Sequence, residues 1–232
     1  MTCELLHLLA DGSAPEMNQN EEITRIRVIY TKGPSLRFIG HLDMQRLWER
    51  LLRRSRLPVR YSQGYHPRAR LNLASALPLG FISKAEMLDF WMNSPVPTIE
   101  IQEKLTNTAP PGLEIKAVQS VDLSADALQT QMHASEYIVT YFDPQNPDEL
   151  EEKIQTLLSQ EEVIRRRRKK TYDLRPLILD LEVTRFADGK PGLTMSLLAE
   201  PGATGRPDEV LDELGYPNTD YLVSRTKLFL SE

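Results

Sequence analysis

Cysteine is nearly missing from this chain, because Cys3 is the only one among 232 residues. One cysteine excludes an intrachain disulfide. It also excludes an iron–sulfur cluster held by the chain's own thiolates, which normally takes about four. Apolar runs are short, and none approaches the roughly 18 residues of a membrane-spanning helix. These shortages predict a cytoplasmic protein that has no cofactor of its own and does not enter a membrane.

Residues that bind metals or transfer protons are scarce as well. The chain has 4 histidines, and none of their spacings to carboxylates matches a zinc site or a facial triad. His41 and His66, together with Tyr65, are candidates for acid–base cleavage of RNA. Histidines in loops more often serve as hydrogen-bonding or binding groups. We therefore predict no metal site and favour a protein without catalytic activity.

The chain does contain charge, and its distribution is uneven. Residues 1–22 carry five acidic residues and no Lys or Arg, a composition that predicts a disordered acidic tail. Residues 25–70 carry twelve Lys and Arg against Asp43 and Glu49, which gives +10. The net charge of −5 then leaves −10 for residues 71–232. This local asymmetry, more than the overall charge, predicts an anionic partner for the first part of the chain.

Hydrophobic periodicity predicts an α+β fold. In the segment 41–56 the apolar residues recur at i, i+3, i+4, i+7 and i+8, which predicts a helix. Around it the first half is predicted to contain strands at 25–30, 59–61, 87–92 and 113–121 and a helix at 98–107. The second half is predicted to contain strands at 137–142, 163–168, 177–186, 193–198 and 221–230 and helices at 147–158 and 209–214.

This order of elements indicates two ferredoxin-like βαββαβ halves in tandem, each with an antiparallel sheet. The predicted domain organisation is a tail at 1–22, a first half at 23–123, a linker at 124–134 and a second half at 135–232. The prediction rests on the order of the elements, since the two halves repeat hardly any residues.

The helix at 41–56 has four arginines on the face opposite its apolar residues, and the sequence offers no local partner for three of them: Arg46, Arg50 and Arg54. The fourth is Arg53. The face is either a solvated surface or a phosphate-binding surface, to which Arg brings a bidentate fork. Further arginines in the same half favour the second interpretation. They are Arg25, Arg27, Arg60, Arg68 and Arg70.

Two loops of the predicted first half are expected to meet at one end of its sheet. These are the loop that enters the first helix and the stretch 62–77, taken as the connection between the second and third strands. Cations, an aromatic ring and imidazoles would then converge, a mixture that suits single-stranded nucleic acid. The residues expected there are Lys32, Arg37, His41, Tyr65, His66, Arg68 and Arg70.

Six consecutive cations, Arg165 to Lys170, form the most basic segment of the second half. A strand of this sequence is basic on both faces, so it must leave the sheet as a projecting hairpin or an exposed edge. The charge either protects that edge from pairing or contacts phosphates, with Arg166, Arg168 and Lys170 as the candidates. By the same topology, the segment is expected at the same end of the second half as the converging loops of the first.

Three motifs in the first half resemble the radical-SAM-linked domain family, whose function is unknown. They are Arg37-Phe38-Ile39-Gly40-His41-Leu42-Asp43, Tyr61-Ser62-Gln63-Gly64-Tyr65-His66-Pro67-Arg68 and Ala74-Ser75-Ala76-Leu77-Pro78-Leu79-Gly80. Asp173-Leu174-Arg175-Pro176 and Arg225-Thr226 resemble the family's second half. The resemblance covers about residues 24–230 and implies an accessory role beside a radical-SAM protein. It supplies no catalytic residues, and the family usually has Asn where this chain has His66.

These observations support three hypotheses about function. The first is a non-catalytic RNA-binding module that presents tRNA or rRNA to a radical-SAM enzyme. The second is an adaptor that docks on a radical-SAM protein through its basic face. The third is a ferredoxin-like endoribonuclease that uses His41 with Tyr65 or His66.

Overall fold

The computed structural model describes residues 22–167, 170–216 and 220–231. Within these ranges the chain is a mixed α+β protein with a mostly antiparallel sheet of nine strands and a separate two-stranded hairpin. The predicted tail, apart from Glu22, and the RNA-binding candidate Arg168 lie outside the described residues. No helix in the described ranges is both long and apolar enough to cross a membrane.

The first half of the chain forms four antiparallel strands in the order β4–β1–β3–β2. Alternation along β1 buries Ile26, Val28 and Tyr30 against the apolar faces of α1 and α2. The elements are β1 (Thr24–Lys32), α1 (His41–Ser55), β2 (Leu71–Leu73), β3 (Ile82–Met92), α2 (Thr98–Thr108) and β4 (Leu113–Val121).

The second half forms antiparallel pairs in the order β11–β5–β9–β8. Its own core lies between these strands and the helices α3 and α4. The elements are β5 (Met132–Tyr141), α3 (Pro147–Leu158), β6 (Ile164–Arg167), β7 (Lys170–Asp173), β8 (Ile178–Arg185), β9 (Pro191–Glu200), β10 (Ala203–Thr204), α4 (Pro207–Glu213) and β11 (Tyr221–Leu230).

A short parallel pairing joins the two halves into one sheet. Ser224 and Arg225 of β11 lie opposite Ile82 and Ser83 of β3. The registers bring the strand ends at Lys32, Ile82, Tyr141 and Tyr221 together at one end of the sheet, which we call the upper edge. The strand ends at Thr24, Met92, Met132 and Leu230 lie together at the opposite end, which we call the lower edge.

Most predicted elements coincide with observed ones, but the second strand of each half does not. The predicted strand 59–61 forms only isolated bridges, Val59 to Met92 and Tyr61 to Ala69. The strand that pairs with β3 is instead β2, inside the stretch 62–77 that was taken as the connection between the second and third strands. In the second half β8 occupies this position beside β9, and residues 164–173 form the separate hairpin β6–β7. The prediction that the basic run leaves the sheet is therefore confirmed.

Candidate nucleic-acid interface

The exposed face of α1 forms a groove lined by arginines. Met44, Trp48, Leu51 and Leu52 bury the opposite face of the helix, so helical periodicity turns four arginines outward. The groove, which we call the arginine groove, has an apolar floor. Its arginines are Arg46, Arg50, Arg53 and Arg54, its floor is Ile39, Leu47 and Pro110, and its one acidic lining residue among those described is Asp43.

Arg46 has a local partner, contrary to the expectation from sequence, and Arg54 has a partner that is distant in the sequence. Arg46 Nη1 donates to Asp43 Oδ1 at 3.1 Å, and both side chains are exposed. Arg54 Nη2 donates to the Thr108 carbonyl at 3.1 Å. Arg50 and Arg53 make no ion pair with any residue in the described ranges. The groove therefore offers two guanidinium groups whose donors are not engaged by acidic side chains.

A hairpin between α1 and β2 carries the most exposed aromatic ring. Tyr61 bridges to Ala69, and Ser62 N donates to the Arg68 carbonyl at 2.8 Å. At its tip Tyr65 is 95% exposed and packs edge-on against His66, with ring centroids 4.9 Å apart. We call residues 61–69 the Tyr65 hairpin. It presents an aromatic face to solvent next to exposed cations.

Arg70 directly follows this hairpin and is held against a buried ring. Its guanidinium carbon lies 4.4 Å from the centroid of Trp91, a distance typical of a cation–π contact. This contact orients Arg70 at the base of the Tyr65 hairpin, where α1 also ends. The arginine groove and the Tyr65 hairpin thus share the lower edge, and we call them together the basic surface. Arg70 itself lies on the face of the sheet opposite α1, because Trp91 pairs with Arg25 and not with the residues of β1 that face the helices.

The predicted convergence of His41 with Tyr65 and His66 is wrong. His41 begins α1 at the upper edge, where it lines a surface cavity with Leu73, Ser75 and Ala76. The Tyr65 hairpin leaves the sheet beside Trp91 and Met92 at the lower edge. The cause is the missed strand β2, because the hairpin precedes the second strand instead of following it. Acid–base cleavage by His41 with either partner therefore lacks a common reaction centre.

The second strand of the second half was missed in the same way. As a result, β6–β7 lies at the lower edge of the second half and not at the end predicted for it.

Lys32, predicted to contact nucleic acid, is buried. It is 3% exposed, and its Nζ donates only a long hydrogen bond of 3.4 Å to the Arg37 carbonyl. Burial lowers the pKa of Lys32. Arg37 itself is fixed at the upper edge, where its Nε donates to the Gly80 carbonyl at 2.6 Å. Neither side chain belongs to the basic surface at the lower edge.

Arg25 and Arg27 are also buried, so they do not add to the basic surface. Both form ion pairs with Asp89 of β3. Arg25 Nη2 lies 2.7 Å from Asp89 Oδ2, and Arg27 Nε lies 2.8 Å from Asp89 Oδ1. Arg25 in addition donates to the carbonyls of Ala125 and Asp126. The three charges fix the connection between the halves to the first half. Alternation with the buried Ile26 and Val28 is the signal in the sequence that puts both arginines on the other face of the sheet.

A second buried ion pair, which sequence reasoning missed, links the two halves. Arg225 of β11 is fully buried and donates from Nε and Nη2 to Glu86 of β3 at 2.9 and 2.6 Å. Tyr30 lies close by, and burial together with Glu86 raises its pKa. No spacing in the sequence relates residues 86 and 225, since only the pairing of β11 with β3 brings them together.

The basic hairpin β6–β7 is anchored through one of its own arginines. Arg165 donates to Glu209 at 3.0 Å and to Asp212 and Glu213 of α4. These carboxylates, Asp212 foremost, raise the pKa of Arg165. The cations that follow are exposed and make no ion pair with a described residue. They are Arg166, Arg167 and Lys170, whereas Arg168 and Lys169 lie outside the described residues.

An apolar patch lies at the upper edge around Arg37. The guanidinium carbon of Arg37 is 5.2 Å from the ring of Phe38 and 5.9 Å from that of Phe142. The patch joins loops from both halves, and its members are between 55% and 73% exposed. They are Phe38, Leu79 and Phe142. Two of them fall in the motifs that carry the family resemblance.

Metal ligation finds no support in the described ranges, which contain no cluster of three or more His, Cys, Asp or Glu side chains arranged to hold an ion.

Comparison with known proteins places the chain in a family. A family model described as "Uncharacterized protein conserved in bacteria (DUF2344)" matches residues 25–207, so the chain belongs to this family. The description names no function and no radical-SAM partner. No curated protein matches the chain significantly.

Solved structures give distant similarities. The chain aligns with a Cbf5-Nop10-Gar1 complex (TM-score 0.44) and with an H/ACA RNP bound to a substrate RNA containing 2'-deoxyuridine (TM-score 0.43), each at 10% identity. The alignments cover 90% of this chain and 50% and 49% of the other chains, so this chain spans about half of their length. Similarity of this degree does not establish a shared function.

Proposed function

We propose that this member of the DUF2344 family is a non-catalytic protein that binds single-stranded RNA on its first half. The arginine groove is the observation that carries the proposal. It gathers four guanidinium groups on one helix face, and Arg50 and Arg53 have no carboxylate partner among the described residues. A guanidinium group donates a bidentate fork to phosphate, which suits a polyanionic backbone.

The Tyr65 hairpin supports a single strand over a duplex. An unpaired base can stack on an exposed ring such as that of Tyr65, whereas the bases of a duplex are already stacked on each other. Arg68 lies in the same hairpin and can contact the adjoining phosphates, whereas Arg70 is held against Trp91 on the face of the sheet opposite α1. In this proposal Lys32 and Arg37 take no part in RNA binding, because one is buried and the other is fixed at the upper edge.

We further infer that each half is a ferredoxin-like βαββαβ unit. The strand orders β4–β1–β3–β2 and β11–β5–β9–β8, with antiparallel neighbours throughout, support this inference. In both units the first helix begins at the upper edge, after Lys32 in the first half and after Tyr141 in the second. Circular dichroism cannot separate this architecture from others, so an experimental structure is its test.

Fluorescence anisotropy with labelled RNA tests the binding proposal. We expect a single-stranded 15-mer of uridine to bind, and its affinity to fall steeply from about 50 to 200 mM salt as counterions are released. Tyr65→Ala should weaken this binding by roughly 1–3 kcal/mol and leave binding of an RNA duplex unchanged. Absence of binding at low salt, or an affinity that salt does not change, would refute the proposal.

The apolar patch favours a second candidate function, a protein adaptor. Three large apolar side chains exposed in one place are typical of an interaction surface. The partner implied by the sequence resemblance is a radical-SAM protein, to which the bound RNA would be presented. Pull-down from the native lysate with Phe38→Glu as the variant tests this candidate. A radical-SAM protein that the wild type retains after ribonuclease treatment and the variant loses would support it, and equal capture by both would refute it.

A further inference from the structure

Each half of the molecule carries one hairpin inserted between its first helix and its second strand. In the first half the Tyr65 hairpin lies between α1 and β2. In the second half β6–β7 lies between α3 and β8. The two insertions share a position in the order of elements, although their sequences are unrelated. The second is rich in cations, whereas the first contains Arg68 and is flanked by Arg60 and Arg70.

The strand registers put both hairpins at the lower edge. Leu71 opens β2 opposite Phe90, two residues from the lower end of β3. Ile178 opens β8 opposite Leu197, and Leu197 lies opposite Ser135 near the start of β5. Both second strands therefore start at the lower edge and run upward. The hairpins that precede them leave the molecule at the same end.

The base of β6–β7 is held firmly, so its cations are presented at a fixed place. Arg165 bonds to three carboxylates of α4. Val163 N donates to Asp173 Oδ1 at 2.8 Å, and Leu174 N donates to the Val163 carbonyl at 2.8 Å. Beyond this base Arg166, Arg167 and Lys170 are exposed. Residues 135–232 carry 13 Lys and Arg against 19 Asp and Glu, a net charge of −6, so this basic tip stands out in an otherwise acidic half.

We propose that the β6–β7 hairpin is a second phosphate-binding site for the same RNA strand that occupies the arginine groove and the Tyr65 hairpin. This inference rests on the proposed function and specifies its ligand further. The ligand is a single strand long enough to lie along the lower edge across both halves. Two sites linked on one strand raise the affinity well above that of either site.

The sheet gives a rough minimum length for such a strand. Both β2 and β11 lie beside β3. From that position β5, β9 and β8 follow in order across the sheet, so β8 is three strand spacings away. At about 4.8 Å for each step this is roughly 15 Å, and a splayed sheet makes it longer. Stacked nucleotides rise about 3.4 Å each, so about five are needed to reach from one hairpin to the other. A shorter oligonucleotide can occupy only one site.

The competing explanation is that these charges only prevent the hairpin from pairing with other strands. That explanation predicts no effect of the hairpin on RNA of any length. The two explanations therefore differ in how binding depends on the length of the probe.

The test compares labelled oligouridylates of 4 and 15 nucleotides by fluorescence anisotropy. The variant is Arg166→Glu with Arg167→Glu. Its matched control is Arg185→Glu with Lys190→Glu, which makes the same change of charge on the upper-edge hairpin of the same half. We expect the variant to bind the 15-mer at least tenfold more weakly than wild type and the 4-mer within about twofold of wild type. The control should bind both probes within about twofold to threefold of wild type.

Three results would overturn the inference. If the variant binds the 15-mer like wild type, the second site does not exist, while the proposed function stands. If the control loses as much affinity for the 15-mer as the variant does, the loss comes from the change in net charge and not from a binding site on the hairpin. If the wild type binds neither probe, the proposed function falls together with this inference.

Discussion

Buried charges in this molecule come in compensated groups that connect distant parts of the chain. Arg225 and Glu86 illustrate this at the scale of single residues, since the pair joins β11 to β3 and both side chains are buried. A buried ion pair contributes little compared with apolar packing, but removing one partner leaves an uncompensated charge. Lys32 increases the need for Glu86, because it is a second buried cation beside the same carboxylate.

Glu86→Gln should therefore lower the free energy of unfolding by about 3–5 kcal/mol. Lys227→Met is the matched control. Lys227 is two residues from Arg225 on β11, but its pair with Glu136 is 60% exposed on the lysine side, and such pairs contribute less than about 1 kcal/mol. Urea unfolding of both variants measures the difference. Equal small losses in the two variants would mean that the pair does not hold the halves together.

At the scale of elements, the sequence predicts long periodic segments well and short inserted ones poorly. The apolar residues of α1 and α3 define those helices because both are amphipathic over several turns. The strand β2 has three residues, too few for alternation to be visible. Val59 and Tyr61, at the start of the segment that leads into the Tyr65 hairpin, follow the alternating pattern of a strand although they form only isolated bridges. The second strand of each half was therefore assigned to the wrong residues. Because of this error, both hairpins were predicted at the upper edge although they lie at the lower edge.

The residues of the candidate site also differ in how well the sequence predicts their positions. The four arginines of α1 could be predicted to share a face, because helical geometry fixes their directions locally. Lys32, Arg25 and Arg27 could not be assigned to the interior, because their partner carboxylates, Asp89 and Glu86, come from β3 far along the chain. Burial of a cation depends on such a partner, and periodicity alone does not reveal it.

The anchoring of β6–β7 by Arg165 leads to a prediction about that element. Arg165→Ala removes three charge-assisted hydrogen bonds and leaves three carboxylates of α4 close together. We expect a loss of stability of about 1.5–3 kcal/mol and faster trypsin cleavage within residues 166–170. Arg166→Ala, which removes an exposed cation without a described partner, should change neither measurement. A trypsin rate equal to wild type in Arg165→Ala would show that α4 does not hold the hairpin.

At the scale of the whole molecule, the buried tyrosines determine how stability depends on alkaline pH. Burial raises the pKa of Tyr30 and of Tyr141, and it raises the pKa of Tyr221 to about 12. Above the ordinary tyrosine pKa, near 10, the unfolded chain loses these protons while the folded chain keeps them. Stability then falls with rising pH. Lys32 acts in the opposite direction, because its lowered pKa makes stability rise up to its ordinary value, near 10.5.

The free energy of unfolding should therefore fall above about pH 10.5 by up to roughly 4 kcal/mol per pH unit, since each of three tyrosines contributes about 1.4. Tyr30→Phe should reduce this slope by about one third. Urea unfolding at a series of pH values from 9 to 12 provides the measurement. A constant stability over this range, or identical slopes for wild type and Tyr30→Phe, would contradict the burial of these hydroxyls.

The central claim is that the arginine groove of α1 binds RNA, and charge reversal inside it is the most direct measurement. Arg50→Glu with Arg53→Glu changes the two arginines that have no described ion pair, and Lys84→Glu with Lys190→Glu makes the same change of charge on exposed lysines elsewhere. The account predicts that the groove variant keeps its melting temperature, since exposed substitutions shift stability by only about 0.5 kcal/mol. Its affinity for the 15-nucleotide single strand should fall at least a hundredfold, against less than about fivefold for the control. A groove variant that folds normally and binds this RNA as tightly as the control would contradict the account.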